Sequence, residues 1–350
     1  MQKLREMESS DRVLNYEDIY LIPNICAVNS RSEVNVGLEW GGFEFSVPVI
    51  PSNMVSVLNP DICHFCSNKK IPYFYHRFGD TLEFVKRANI ECWKFIGISI
   101  GVKPQDKRLL DEIKKLNLKV DAVLIDVANG VMESVTSMVI YSRASGFFTG
   151  VGNIWGDKDS VEFLEDVAGV DFLKAGLSCG KNCSTYSTTS FGSPMFSAAI
   201  ELGKWANVPV IIDGGTRNNG DIVKAIRGFL EYGKGLPLIM LGNLFAACID
   251  APGENIYDGY GTSIYEDEKL TQETKIIKFK RHFGSASRKN KEISGQSIKH
   301  IEGFEVELPC NQMTFEQKIE EIKQSLQSAV SYSGGKDLLA IGEAKWVTVK

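Results

Sequence analysis

Short apolar runs rich in β-branched residues recur along the chain, at 46–51, 71–75, 94–98, 121–126, 147–151, 170–174, 208–213 and 236–241. Each is followed by a turn rich in Gly, Asn or Ser. Amphipathic stretches that read as helices lie between them, at 81–88, 107–115, 131–142, 158–167, 196–205 and 220–230. A short continuous apolar run bounded by turn residues predicts a strand buried on both faces, and a 3.6-residue apolar period predicts a helix packed over it. Eight strands alternating with helices predict one α/β domain, a closed parallel (β/α)8 TIM barrel spanning about residues 14–250 of the 350. An open doubly wound sheet is the alternative, and eight regular units suit closure better. Beyond Pro252 the pattern changes. Residues 254–312 are polar and charged with few periodic apolar positions, which predicts an extended arm or mobile flap, not a ninth unit. A terminal amphipathic helix is expected at 315–329, within a closing segment of about 313–332.

A parallel barrel carries its chemistry at the C-terminal ends of its strands. The residues to read are therefore Ser52-Asn53-Met54, His76-Arg77, Gly101, Asp126 to Gly130, Gly152-Asn153, Gly176 to Cys183, Asp213-Gly214-Gly215 and Gly242-Asn243. The formal net charge of −5 argues against a nucleic-acid binder, which would show a basic stripe. It leaves room for a small anionic ligand in a local basic pocket. The polar N-terminus lacks the apolar core of a signal peptide and no apolar run reaches membrane-spanning length, so a cytoplasmic protein is expected. Its eight cysteines are then reduced thiols, and the lone pair Cys63 and Cys66, with no second pair to complete a zinc site, reads as buried thiols.

One segment stands out. Lys174 to Thr185 leaves a strand end as a glycine-punctuated loop and places Cys183 beside Ser184 and Thr185. Such a loop presents backbone N–H groups to anions or carbonyls to cations, and a thiolate is a strong nucleophile at neutral pH. A buried structural thiol is the competing reading of Cys183. After the seventh strand, Asp213-Gly214-Gly215 leads to a helix starting near Gly220. Glycines let a phosphate approach the backbone, the helix N-terminus favours the anion, and Asp213 suits ribose hydroxyls. Gly242 and Asn243 follow the eighth strand, where barrels often bind phosphate. Together these loops suggest a nucleotide monophosphate; plain turn glycines are the alternative.

The same residues resemble the IMP dehydrogenase/GMP reductase family, and within it the reductases, over nearly the whole chain. The opening Tyr16 to Pro23, the Ser30-Arg31-Ser32 segment, Asn53-Met54, Ile125 to Gly130, Gly152-Asn153, Asp213-Gly214-Gly215 with Gly220 to Ala225, and Met240-Leu241-Gly242 carry the likeness. Only residues 286–301 separate Ser285 from Glu302, and this short flap holds no Arg-Tyr pair of the kind that activates water in the dehydrogenases. The resemblance implies that Cys183 attacks purine C2 and that Thr185 and Glu302 relay a proton to the departing amine. A thioimidate on Cys183 is then reduced by NADPH. It places Asn53, Met54, Lys181, Asp213, Gly214, Gly215, Gly242, Asn243, Arg281, His282, Phe283, Gly284, Ser285 and Gly303 around a guanine nucleotide. Ser30, Arg31, Arg77, Asp126, Val127, Ala128, Asn129, Leu177 and Ser178 fall to the cofactor. It also implies a homotetramer, and a potassium ion on carbonyls of Ser178, Gly180 and Cys183.

The departures from the family pattern cluster near the phosphate end. Ser178-Cys179-Gly180-Lys181 stands where the family has Gly-Pro-Gly-Ser, and Tyr186 replaces the arginine of its Cys-Thr-Thr-Arg run. Asn243 replaces a glycine, Val55 an aspartate, and Arg281-His282-Phe283, preceded by Lys280, replaces Tyr-Gly-Met. The Lys181 ammonium and the missing arginine speak against the potassium ion. Lys181, Lys280 and Arg281 are expected to converge on the phosphate. That leaves two substrates open: GMP held differently, or a modified or more highly phosphorylated guanine nucleotide. An NAD-dependent IMP dehydrogenase and a non-catalytic nucleotide-binding barrel are the other readings.

Overall fold

The computed structural model describes residues 13–177, 186, 189–257, 262–266, 269–274, 276–293, 298, 301 and 303–349. Seven parallel strands are hydrogen-bonded side by side in a curled sheet. Their order is Val49–Pro51, Leu238–Leu241, Val210–Asp213, Phe172–Ala175, Thr149–Ile154, Ala122–Asp126 and Gly97–Ile100. The run at 71–75 closes the ring more lightly. Tyr75 bridges Ile98, and at the other edge the Ser46 amide donates to the Lys70 carbonyl at 2.8 Å. All eight apolar runs thus take their places, and the architecture is an α/β TIM barrel.

Helices follow the strands as the periodicity predicts, at Thr81–Ile90, Pro104–Lys115, Glu133–Ala144, Lys158–Glu162 (continuing as a π-helix over Phe163–Ala168), Met195–Trp205 and Asn219–Phe229. A further helix, Pro60–Asn68, fills the first connection. Its N-terminus is set by the Asn59 side chain accepting from the Ile62 amide and by Pro60 in the first turn. Cys63 and Cys66 lie on its core face, fully buried, as expected of structural thiols.

The N-terminal mouth of the barrel is plugged by the hairpin Leu38–Trp40 and Phe43–Phe45. Trp40 meets Phe172 edge-on at 5.1 Å and donates its indole N–H to the Val210 carbonyl, while Phe43 meets Phe95 at 5.1 Å. Ring contacts of this kind add about 0.5–1.5 kcal/mol each beyond their burial. With that end closed by aromatics, polar side chains collect at the other.

The two termini clasp each other, Ile19–Ile22 pairing antiparallel with Lys345–Thr348. The terminal helix, Phe315–Ser333, starts at a capping box between Thr314 and Gln317 and ends at Gly334 in a left-handed conformation. Among the described residues, the polar stretch before it adds no ninth barrel unit. It forms an antiparallel sheet of Asn255–Tyr257, Ile277–Phe283 and Glu305–Pro309, with a hairpin at Thr262–Glu266 and Lys269–Thr274. Among the described residues, no helix is long and apolar enough to cross a membrane.

Candidate active site

Four strand ends meet around a buried lysine. Lys174, flanked by Leu173 and Ala175 in the sixth strand, is almost completely enclosed. Its ammonium lies 3.3 Å from Asp126 Oδ1, 3.1 Å from Asp213 Oδ2, and in contact with Asn153 Oδ1. The backbone makes room for it, since a Cβ on Gly152 would come within 2.6 Å of the Lys174 Cβ. Burial alone would lower the lysine pKa, but the two carboxylates outweigh it and hold the pKa above its ordinary value. Burial pushes the Asp213 carboxyl up, with Lys174 opposing. On its far side, Asp126 Oδ2 faces Arg77 Nε at 4.0 Å. Lys174 was not among the expected site residues; a lysine ending an apolar run reads as the strand's exit to solvent.

The surrounding loops are stitched to this cluster. Val127 donates to the Gly152 carbonyl and Gly130 to that of Asn153, which leaves Ala128 and Asn129 exposed at the tip. Asn53 is buried and donates to Ser99 Oγ at 3.0 Å, and Met54 packs against the core. Gly214 and Gly215 both take positive φ, 101° and 75°, a backbone course that a side chain would strain. At the base of the cysteine loop, the Leu177 amide donates to Ser193 Oγ and the Ser193 amide to the Leu177 carbonyl. The expected residues Ser178, Gly180, Lys181, Cys183, Thr185 and Glu302 lie outside the described residues.

The arm passes over the first and eighth strand ends. His282 Nδ1 is 2.7 Å from Ser56 Oγ, and a Cβ on Gly242, next to Asn243, would approach His282 Nε2 at 3.7 Å. Gly284 accepts from the Ser287 amide, Ser285 from the Asn290 side chain, and Ser287 bridges Gly303. The expected convergence of Lys280 and Arg281 does not form. Side chains alternate across a strand, so the two face opposite ways. The buried Lys280 ammonium donates to the carbonyls of Ile249 and Ala251 and to Asn255, whereas Arg281 pairs with Glu254 at 3.1 Å and Glu305 at 3.6 Å. Ser30 caps a short turn through the Ser32 amide, and the Arg31 guanidinium lies over the Tyr332 ring of the terminal helix, 5.7 Å from its centroid.

Strand-end carboxylates, a buried ammonium and positive-φ glycines thus lie together at the C-terminal end of the barrel. Comparison with known proteins gives the family. A family model for the IMP dehydrogenase / GMP reductase domain matches residues 86–349. The chain belongs to this family. It is 37% identical over 344 residues to the GMP reductase of Ligilactobacillus salivarius (strain UCC118), covering 97% of each chain. It is 36% identical over 342 residues to that of Mesoplasma florum, covering 96% of this chain and 98% of the relative, and 35% identical over 348 residues to that of Helicobacter pylori (strain G27), covering 97% of each. As a family member, the chain carries Asp126, Asn153, Lys174 and Asp213 at the barrel end where its fold class builds active sites.

Proposed function

We propose that this protein is a purine nucleotide reductase that converts GMP to IMP and ammonia at the expense of NADPH. The observation that carries the proposal is the full-length likeness to proteins named GMP reductase, with nearly complete coverage on both sides. The strand-end residues fit the ligands. Asp213 keeps a carboxylate oxygen beyond the one nearest Lys174, suited to ribose hydroxyls, and the backbone of Gly214, Gly215, Gly242 and Asn243 would receive the phosphate. On the cofactor side, Arg77 Nε is buried without a hydrogen-bond partner beside Asp126, and Asn129 is exposed above it.

In this reading Cys183 Sγ bonds to purine C2 as the C2–N bond breaks, and Thr185 and Glu302 deliver the proton that lets ammonia leave. NADPH, when bound, supplies the hydride that reduces C2. The C2–S bond then breaks and the thiolate is restored. The flap segment keeps water from the thioimidate, so reduction wins over hydrolysis. The Lys280 and Arg281 contacts favour GMP itself over a more highly charged nucleotide, because both cations are already engaged. We place the enzyme in the family's homotetramer, which sedimentation would check.

The test is to supply GMP, dGMP, GDP and GTP in turn with NADPH, following cofactor oxidation with IMP and ammonium release. One IMP and one ammonium per NADPH from GMP is the expected result. Faster turnover of a polyphosphate, or oxidation of IMP by NAD without GMP reduction, would replace this reading. Mass spectrometry should find a nucleotide adduct on Cys183 that is absent in Cys183→Ser.

A further inference from the structure

We propose that Lys174 couples the nucleotide and cofactor halves of the site, acting as a positioning residue through the two carboxylates it shares. This rests on the function proposed above. The charged groups alternate in sign across four strand ends: Arg77, Asp126, Lys174, Asp213. Each carboxylate is partly exposed, with side chains 13% and 23% accessible, while the ammonium between them is sealed at 2%. The ammonium therefore touches no ligand and acts only through its neighbours. A buried ion pair gives little net stability against a well-packed apolar substitute, so stability does not account for an enclosed lysine here.

The coupling follows from sharing. One ammonium serves two carboxylates and the Asn153 carbonyl. When ribose hydroxyls donate to Asp213, its demand on Lys174 falls. The ammonium then settles on Asp126 and fixes the carboxylate that faces Arg77 on the cofactor side. Nucleotide binding thereby organises the cofactor half, and by linkage the cofactor tightens the nucleotide by the same factor.

Calorimetry with IMP and NADPH tests this, because that pair has no oxidant and forms a dead-end complex. In the wild-type enzyme, saturating IMP should tighten NADPH binding at least about fivefold, the lower end of typical coupling. In Lys174→Met, and separately in Asp126→Asn, the factor should fall to below about twofold with IMP still bound. Asp126→Asn keeps the experiment decisive should Lys174→Met fail to fold. Equal coupling in wild type and a folded variant overturns the inference, as does a wild type with no coupling. A wild-type enzyme that binds neither IMP nor NADPH and turns over no GMP overturns the functional reading itself, and the inference with it.

Discussion

Two lysines of this protein are equally enclosed, Lys174 at the barrel's strand ends with 2% of its surface accessible and Lys280 in the crossing arm with 1%. Their surroundings drive them in opposite directions. Lys174 faces two carboxylates, which outweigh its burial and raise its pKa. Lys280 faces neutral carbonyls, and burial lowers its pKa. Enclosure costs both ammonium groups their water; only the partner's charge decides whether that loss is returned. The strand ends around Lys174 thus form an ionic cluster, whereas the Lys280 ammonium is held in the arm by neutral hydrogen-bond acceptors.

The sharpest way to break this comparison is Lys174→Met. It leaves Asp126 and Asp213 facing each other without their counter-ion, and removing one partner of a buried ion pair typically costs about 3–5 kcal/mol. Urea unfolding should show that loss near neutral pH. Adding Asp126→Asn and Asp213→Asn to the same chain should recover much of it, because the uncompensated charges are then gone. A loss below about 1 kcal/mol would mean the cluster behaves like a surface pair.

Two buried histidines come next, His76 after the second apolar run and His282 in the arm. Burial lowers the pKa of His76 and of His282 to about 4. Unfolded, each would titrate near 6.5. The unfolded chain therefore binds more protons between those values, so their contribution to stability is fully present above about pH 6.5 and is lost as pH falls toward 4. The difference of roughly 2.5 units corresponds to about 3 kcal/mol per histidine at the acid end. Unfolding free energy measured from pH 7 down to 4 should fall accordingly, and His282→Gln should flatten the slope while retaining a partner for Ser56.

Lys280→Met is milder. It strands the Ile249 and Ala251 carbonyls without leaving a bare charge, a cost of about 1–3 kcal/mol. Its pH dependence distinguishes it further. The raised pKa of Lys174 makes its stabilisation complete below the unfolded lysine pKa, about 10.4, and lost as pH rises through the folded value. The lowered pKa of Lys280 does the reverse: folding disfavours its charged form, and that penalty lifts as pH rises toward about 10.4. Unfolding series at alkaline pH should show the two variants' deficits changing in opposite senses, and parallel changes would dissolve the comparison.

The barrel was legible in the chain because burial on both faces demands uninterrupted apolar runs, and all eight runs became strand positions. The run at 71–75 reads like the others, yet it holds only a bridge; hydrogen-bond register is not written in hydropathy. Lys174 was read only as the start of the cysteine loop, for a physical reason. Its carboxylate partners come from two other strands, brought together only by closure of the ring, and nothing local to 170–175 announces them. The signal available was a lysine held between Leu173 and Ala175 where a polar turn should already have begun. In the arm the failure ran the other way. With Lys181, the adjacent Lys280 and Arg281 read as cations converging on one phosphate, but the strand's alternation sends Lys280 inward and Arg281 outward.

That alternation sets up the smallest expected effect. Arg281 is paired with Glu254 and Glu305 on the arm's outer face, where ion pairs contribute about 1 kcal/mol or less. Arg281→Ala should lower stability by no more than that. Were its guanidinium to bind the nucleotide phosphate, the same substitution would remove a charge-assisted contact and raise the KM for GMP by roughly tenfold or more. The outward pairing predicts a change within about twofold. Steady-state kinetics on this one variant therefore ask whether Arg281 keeps its outward pairing when substrate is present or lends its charge to the nucleotide, and the side chain's two glutamates favour the outward pairing.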